Sequence, residues 1–190
     1  MTRKSALLSP AALACLALAL PIPVPAAASA GASCSGATLV PDRANMARVR
    51  TATLCLLNAE RGKRGLAPLS SHRQLRKAAQ AYSANMVRQR FFAHVSPQGT
   101  TLRSRVSRTS YLRGRLSSWS LGENLAWGSG DRATPKRIVR SWMHSPGHRD
   151  NILDPSFRDI GIGVVIGAPD DVGGRPAATY TTDFGHRVAR

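Results

Sequence analysis

Acidic side chains are scarce in this sequence: 10 Asp and Glu stand against 27 Lys and Arg, giving a formal charge of +17 over 190 residues. Between Glu60 and Glu123 there is none, while basic residues run from Arg61 to Arg115. That half of the chain carries a positive field, which attracts polyanions such as nucleic acid, anionic lipid headgroups or acidic wall polymers. A coding bias towards Arg and Ala, producing a generally basic surface, accounts for the same composition. Aromatics are also few, and only Tyr111 interleaves the Arg residues from Arg103 to Arg115. Without a stacking platform for bases, no specific nucleic-acid binding is expected. Long apolar runs are missing too: Ala6 to Leu20 covers 15 residues, short of the roughly 20 needed to cross a bilayer. There is no GxSxG elbow, GxGxxG turn or Walker loop, so a serine hydrolase and a nucleotide enzyme are both unsupported. No internal repeat or heptad run is present.

The apolar run has a different meaning. Arg3 and Lys4 precede it and a Pro-rich segment ending in Ala28-Ser29-Ala30 follows, the pattern of an export signal cleaved after Ala30. Residues 1–30 therefore read as a signal peptide, 31–41 as a small, polar N-terminal tether, and 42–190 as one domain. The mature protein is expected to be secreted and extracellular, not membrane-spanning, and a monomer. Cys15 leaves with the signal; the preceding Ala12-Leu13-Ala14 matches a lipobox poorly. Cys34 and Cys55 remain, in an oxidising compartment, where a disulfide is favoured over two free buried thiols. A thiol enzyme is then unsupported.

Periodicity outlines the domain. Val49, Ala52, Thr53, Leu56 and Leu57 recur at helical spacing up to Arg64-Gly65. A second helix, capped by Ser70 or Ser71, has Leu75, Ala78, Ala79, Tyr82 and Met86 on its apolar face and fades near Arg90. Thr100 to Ser120 reads as loop with one short helical turn, and Leu121 to Trp127 as a short strand. Thr134-Pro135 starts a helix that Ser145-Pro146-Gly147 ends. Ile160, Ile162, Val164 and Ile166 alternate with Gly161 and Gly163, giving a strand whose bare face admits another backbone. Ala178, Tyr180, Thr182 and Phe184 alternate after a turn-rich loop, completing a hairpin. Helices first and strands last favour an α+β arrangement over a parallel βαβ sheet.

Three polar side chains fall at predicted turns: His94 after the second helix, Glu123 in Gly122-Glu123-Asn124, and His148 in Pro146-Gly147-His148. Two histidines and a carboxylate form the ligand set of a catalytic zinc site, and equally a general acid/base cluster. An isolated His is more often a hydrogen-bonded structural residue, and a lone Glu a solvated one. His144 and His148 have the spacing of HExxH enzymes, but Pro146 and Gly147 intervene and no Glu follows His144. His144 is expected to be exposed, His72 to lie at the surface near a helix start, and His186 in the tail.

Five blocks stand in order: Leu57-Asn58-Ala59-Glu60-Arg61, Phe92-Ala93-His94, Gly122-Glu123-Asn124-Leu125-Ala126, Trp142-Met143 with Ser145-Pro146-Gly147-His148-Arg149-Asp150-Asn151-Ile152-Leu153, and Ile160-Gly161-Ile162-Gly163-Val164. Together they resemble the secreted bacterial type of the CAP superfamily of cysteine-rich secretory, antigen and pathogenesis-related proteins, over roughly residues 50 to 186. The resemblance implies a three-layer α-β-α sandwich with a central antiparallel sheet and a cavity lined by two His and two Glu, which bind a divalent metal in some members. His94, Glu123 and His148 match three of the four. The second Glu has no match, and Ser145 stands about where it belongs. One carboxylate instead of two should hold Mg²⁺ more weakly and leave two imidazoles suited to Zn²⁺, so metal binding by His94, His148 and Glu123 is expected to be weak.

Members of this superfamily bind sterols or lipids or act in defence and venoms, and proteolysis has been proposed for some; fold does not settle the activity. The favoured reading is a non-catalytic binding protein, whose His/Glu cavity and basic surface hold a lipid or an anionic cell-envelope polymer. The competing readings are a Zn-dependent hydrolase or protease, with Glu123 as ligand or general base, and a polyanion adhesin acting through the Arg-rich half.

Overall fold

The computed structural model describes residues 33–190; the expected signal peptide, its expected cleavage point and Cys15 lie outside them. In chain order the elements are α1 (Met46–Gly62), β1 (Ser70–Ser71), α2 (Arg73–Gln89), α3 (Leu102–Ser107), β2 (Leu116–Ser129), α4 (Pro135–Met143), α5 (Pro146–Leu153), β3 (Asp159–Ile166) and β4 (Ala177–Ala189). A single 3₁₀ turn, Gly130–Ala133, links β2 to α4. The strands form one sheet in the order β1-β3-β4-β2.

Helices cover both faces, as the α+β sandwich expectation requires. On one face Ile160, Ile162, Val164, Tyr180 and Phe184 join Val49 and Leu57 of α1, Ile138, Val139 and Trp142 of α4 and Ile152 of α5 in the main apolar core. The glycines between the β3 isoleucines make the other face flat. A Cβ on Gly161 would lie 2.0 Å from the Leu75 carbonyl carbon, and one on Gly163 2.3 Å from that of Ala79. Thus α2 rests its backbone on the sheet, where no larger residue fits.

The sheet is mixed, and not wholly antiparallel as expected. β4 pairs antiparallel with β2 and β3, while the two residues of β1 pair parallel with Asp159 and Ile160 at the far edge. Ser70 and Ser71 are that edge and do not cap α2; His72 does, its Nδ1 accepting from the Gln74 N–H at 3.2 Å. The region 100–120 is more ordered than its weak periodicity suggested: Thr101 caps α3, and β2 starts at Leu116. Pro146 does not merely end a helix. It occupies the first position of α5, where its missing N–H has no intrahelical role.

Several motif residues prove to be fasteners. Arg61, fully buried, donates to the carbonyls of Ala67, Ile152, Asp154 and Phe157. Asn58 pairs with both backbone groups of Leu69. Cys34 and Cys55 form a disulfide with Cα atoms 5.7 Å apart, tying the N-terminal segment to α1.

Candidate functional site

Glu123 lies on β2, an edge strand, and its side chain is on the α2 side of the sheet, only 3% exposed. Its Oε1 is 2.8 Å from Nδ1 of His94, and its Oε2 accepts from Arg105. His94 arrives from the segment after α2, which leaves the helix through a left-handed Arg90 at φ 51°. That segment is fixed by Tyr82, whose hydroxyl donates to the Ala93 carbonyl at 2.6 Å, and by Arg105, which donates to the His94 and Thr100 carbonyls at 3.0 Å. The Arg105 guanidinium lies 3.3 Å from the centre of the Tyr82 ring, a close cation–π stack. One buried arginine therefore orients both the carboxylate and the loop bearing its histidine.

The structure brings His94 and Glu123 into contact, and His148 near them from the opposite helical layer. His148 sits in the first turn of α5 and not in a turn. Its own carbonyl accepts from Asn124 Nδ2 at 2.9 Å, and Asn151 of the same helix donates to the Glu123 carbonyl and to Asn124 Oδ1. These amide bonds hold α5 against the edge of β2. No hydrogen bond joins the His148 ring or the Ser145 hydroxyl to Glu123 or His94; Ser145 is the residue before α5, and its hydroxyl makes no capping bond. His144 ends α4 and is exposed, as expected, so His144 and His148 belong to different helices. His72 is half-buried against the edge of Tyr111, and His186 is part of β4.

Sequence reasoning missed two charged residues at this site. Arg105 was one of a run of similar arginines. Its signal is its place among Leu102, Val106 and Thr109, at the spacing of one buried helical face. The other is Asp183, fully buried and the direct cross-strand partner of Glu123. Neither of its carboxylate oxygens has a hydrogen-bond partner among the described residues. The second carboxyl at this site thus comes from β4.

The electrostatics follow from this packing. Burial, and then the charge of Glu123, push the Asp183 carboxyl well above the usual carboxylate range. A protonated Asp183 is the arrangement that spares the sheet two adjacent buried anions. The hydrogen bond to Glu123 raises the His94 pKa, against a smaller opposing effect of burial. Burial lowers the His148 pKa, and the neighbouring His94 charge lowers it further. Protonation is thus favoured at His94 and disfavoured at His148.

Glu123 is a poor ligand for a divalent metal in this arrangement, while a carboxylate on His94 Nδ1 leaves Nε2 as the ring nitrogen that could meet one. His94 Nδ1 faces Glu123, and Arg105 places a fixed cation on the other oxygen. Among the described residues no three His, Cys, Asp or Glu side chains are grouped to hold an ion.

Comparison with known proteins places these features in context. A model of the Cysteine-rich secretory protein family matches residues 54–182. The chain is 42% identical over 110 residues to the uncharacterized protein YkwD of Bacillus subtilis, covering 58% of this chain and 40% of that one. To the uncharacterized membrane protein YlbC of the same organism it is 31% identical, covering 58% and 30%. It therefore spans less than half the length of either curated relative. Among solved structures it is similar to an extracellular protein containing a SCP domain from Bacillus anthracis, with a TM-score of 0.55 at 25% identity, covering 78% of this chain and 41% of that one. An outer surface protein of Borrelia burgdorferi shares the fold with a TM-score of 0.56 at 22% identity, covering 70% and 89%.

Proposed function

The chain belongs to the Cysteine-rich secretory protein family, and from that premise we propose that it is an exported, non-catalytic binding domain. Its ligand is a lipid or an anionic cell-envelope polymer, held at the cleft of His94, Glu123 and His148 and on the basic surface around it. The extracellular and outer-surface placement of two similar solved proteins supports export, and no helix among the described residues is long and apolar enough to cross a membrane.

One observation carries the choice of binding over catalysis: both oxygens of Glu123 are already held, by His94 and by Arg105. A general base must take a proton from water and a metal ligand must meet the cation, and at Glu123 each would compete with these two contacts. Arg105 at contact distance also opposes any divalent ion beside it. Asp183 does not substitute, being fully buried and biased towards its protonated form.

The test is recovery of lipids and envelope fragments that co-purify with the exported protein, identified by mass spectrometry, in the parent and in a His94→Ala/His148→Ala variant. Loss of a specific species from the variant is the expected result. Calorimetry with Zn²⁺ near neutral pH should show no tight binding. Tight Zn²⁺ binding that vanishes in the variant would overturn this reading in favour of the metal-assisted hydrolase.

A further inference from the structure

The acid-free stretch of sequence folds into something more local than a basic surface. A cavity of about 320 Å³ opens between α2 and α3, lined by Lys77, Arg88, Arg105 and Arg108 with Asn85 and Thr100, and no carboxylate lines it. Lys77, Asn85 and Arg88 share one face of α2 by their spacing, and Arg108 follows the last turn of α3. Among the described residues Lys77, Arg88 and Arg108 form no ion pair. Arg105, 7% exposed, has its terminal nitrogens engaged by Glu123 and the His94 and Thr100 carbonyls, so the free cations of this wall are Lys77, Arg88 and Arg108.

We propose that this cavity is a binding site for a phosphate ester. Clustered cations without a counter-charge have one remedy, an anion with several acceptor oxygens. A carboxylate presents two oxygens in a plane. A phosphate group presents its oxygens tetrahedrally and suits converging guanidinium and ammonium donors from two helices. The cavity is at the lower end of the roughly 300–1,000 Å³ typical of small-ligand sites, larger than a bare phosphate needs. Its remaining wall, Ala78, Ala81 and the Tyr82 ring, is apolar and suits the organic part of an ester. The ester can belong to a lipid headgroup or to a phosphodiester polymer. Arg105 links this cavity to Glu123, yet the site needs neither His94 nor His148.

The test titrates the folded protein with inorganic phosphate against chloride at matched ionic strength, following binding by NMR shifts and by thermal unfolding. The parent and the His94→Ala/His148→Ala variant should both bind saturably. Lys77→Ala/Arg108→Ala, which changes two exposed side chains, should bind about tenfold or more weakly while unfolding like the parent without phosphate. A charge-matched control, Arg43→Ala/Arg175→Ala, should bind like the parent. Equal weakening in both pairs, or a phosphate response no different from that to chloride, would overturn the site. Vesicles of phosphatidylglycerol, vesicles of phosphatidylcholine and a soluble glycerol phosphate oligomer separate the sources. Whichever anionic probe loses binding in Lys77→Ala/Arg108→Ala names the ester, and a parent that binds inorganic phosphate but neither anionic probe would overturn the ester assignment.

Discussion

One face of the sheet meets α1, α4 and α5 through Ile160, Ile162, Val164, Tyr180 and Phe184; the other meets α2 and α3 through Gly161, Gly163, Thr181, Asp183 and Glu123. The first face is mostly hydrocarbon and most of its polar atoms are paired internally, as where Trp142 Nε1 donates to the Leu125 carbonyl and the Tyr180 hydroxyl to that of Ala133; among the described residues the buried Thr182 hydroxyl on this face has no partner. The second has hydroxyls, carboxyls and a guanidinium packed close beneath a helix. Here Ser83 donates to Thr181 Oγ1 at 2.8 Å, while among the described residues neither Asp183 oxygen has a partner. Apolar burial is not directional and stabilises wherever the volume is filled, whereas a buried polar cluster stabilises only when every member is satisfied. Stability should therefore be concentrated on the first face, and ligand chemistry on the second.

Substitutions on each face can break that division. Trp142→Ala removes a fully buried indole from the first face and should destabilise by about 3–5 kcal/mol in urea unfolding. Arg105→Ala strikes the second face, leaving Glu123 buried without its cation and freeing the His94 loop; a loss of about 3 kcal/mol is expected. If Arg105→Ala proves the costlier of the two, the polar face carries the fold as well and the division fails.

Asp183 sharpens the same contrast through pH. Its folded pKa is raised above the unfolded value of about 3.9. Its favourable contribution is therefore complete below that pH and is lost as pH rises through the folded value. Asp183→Asn keeps a donor and an acceptor in nearly the same volume. It should change stability at pH 4 by less than about 1 kcal/mol and make the protein more stable than the parent at neutral pH. Urea midpoints measured across that range check this; parallel curves for parent and variant would mean that Asp183 is already ionised.

The same two faces explain what the sequence could and could not disclose. The first face is legible because it repeats: Ile160, Ile162 and Val164 alternate, and Ile138, Val139 and Trp142 follow helical spacing. The glycines opposite announced the close approach of α2, and the five ordered blocks announced the family and the meeting of His94 with Glu123. The polar face repeats nothing. That Asp183 stands beside Glu123 depends on the β2–β4 register, which pairs residues 60 apart in the chain, and local pattern does not encode a register. Nothing in the run from Arg103 to Arg115 marks Arg105 as the buried member except its neighbours on α3. Pro146-Gly147 misled because proline that breaks one helix is equally suited to begin the next, and that choice decided where His148 stands.

The smallest effect should come from His94, whose side chain is 58% exposed. Solvent screens its pairing with Glu123, so His94→Ala should cost less than about 1 kcal/mol at any pH. Its sign is opposite to that of His148. The raised His94 pKa makes its contribution complete below the unfolded value of about 6.5 and lost as pH rises through the folded one. The lowered His148 pKa makes its contribution present above about 6.5 and lost as pH falls through the folded value. Removing His94 takes away a cation that depresses His148 but leaves the desolvation, which is the larger cause. In an NMR titration of His94→Ala, the His148 pKa should therefore move up while staying below that of a free histidine. No movement would mean that the two rings do not sense each other, and the polar cluster would then end at Glu123 rather than reach across the sheet edge to α5.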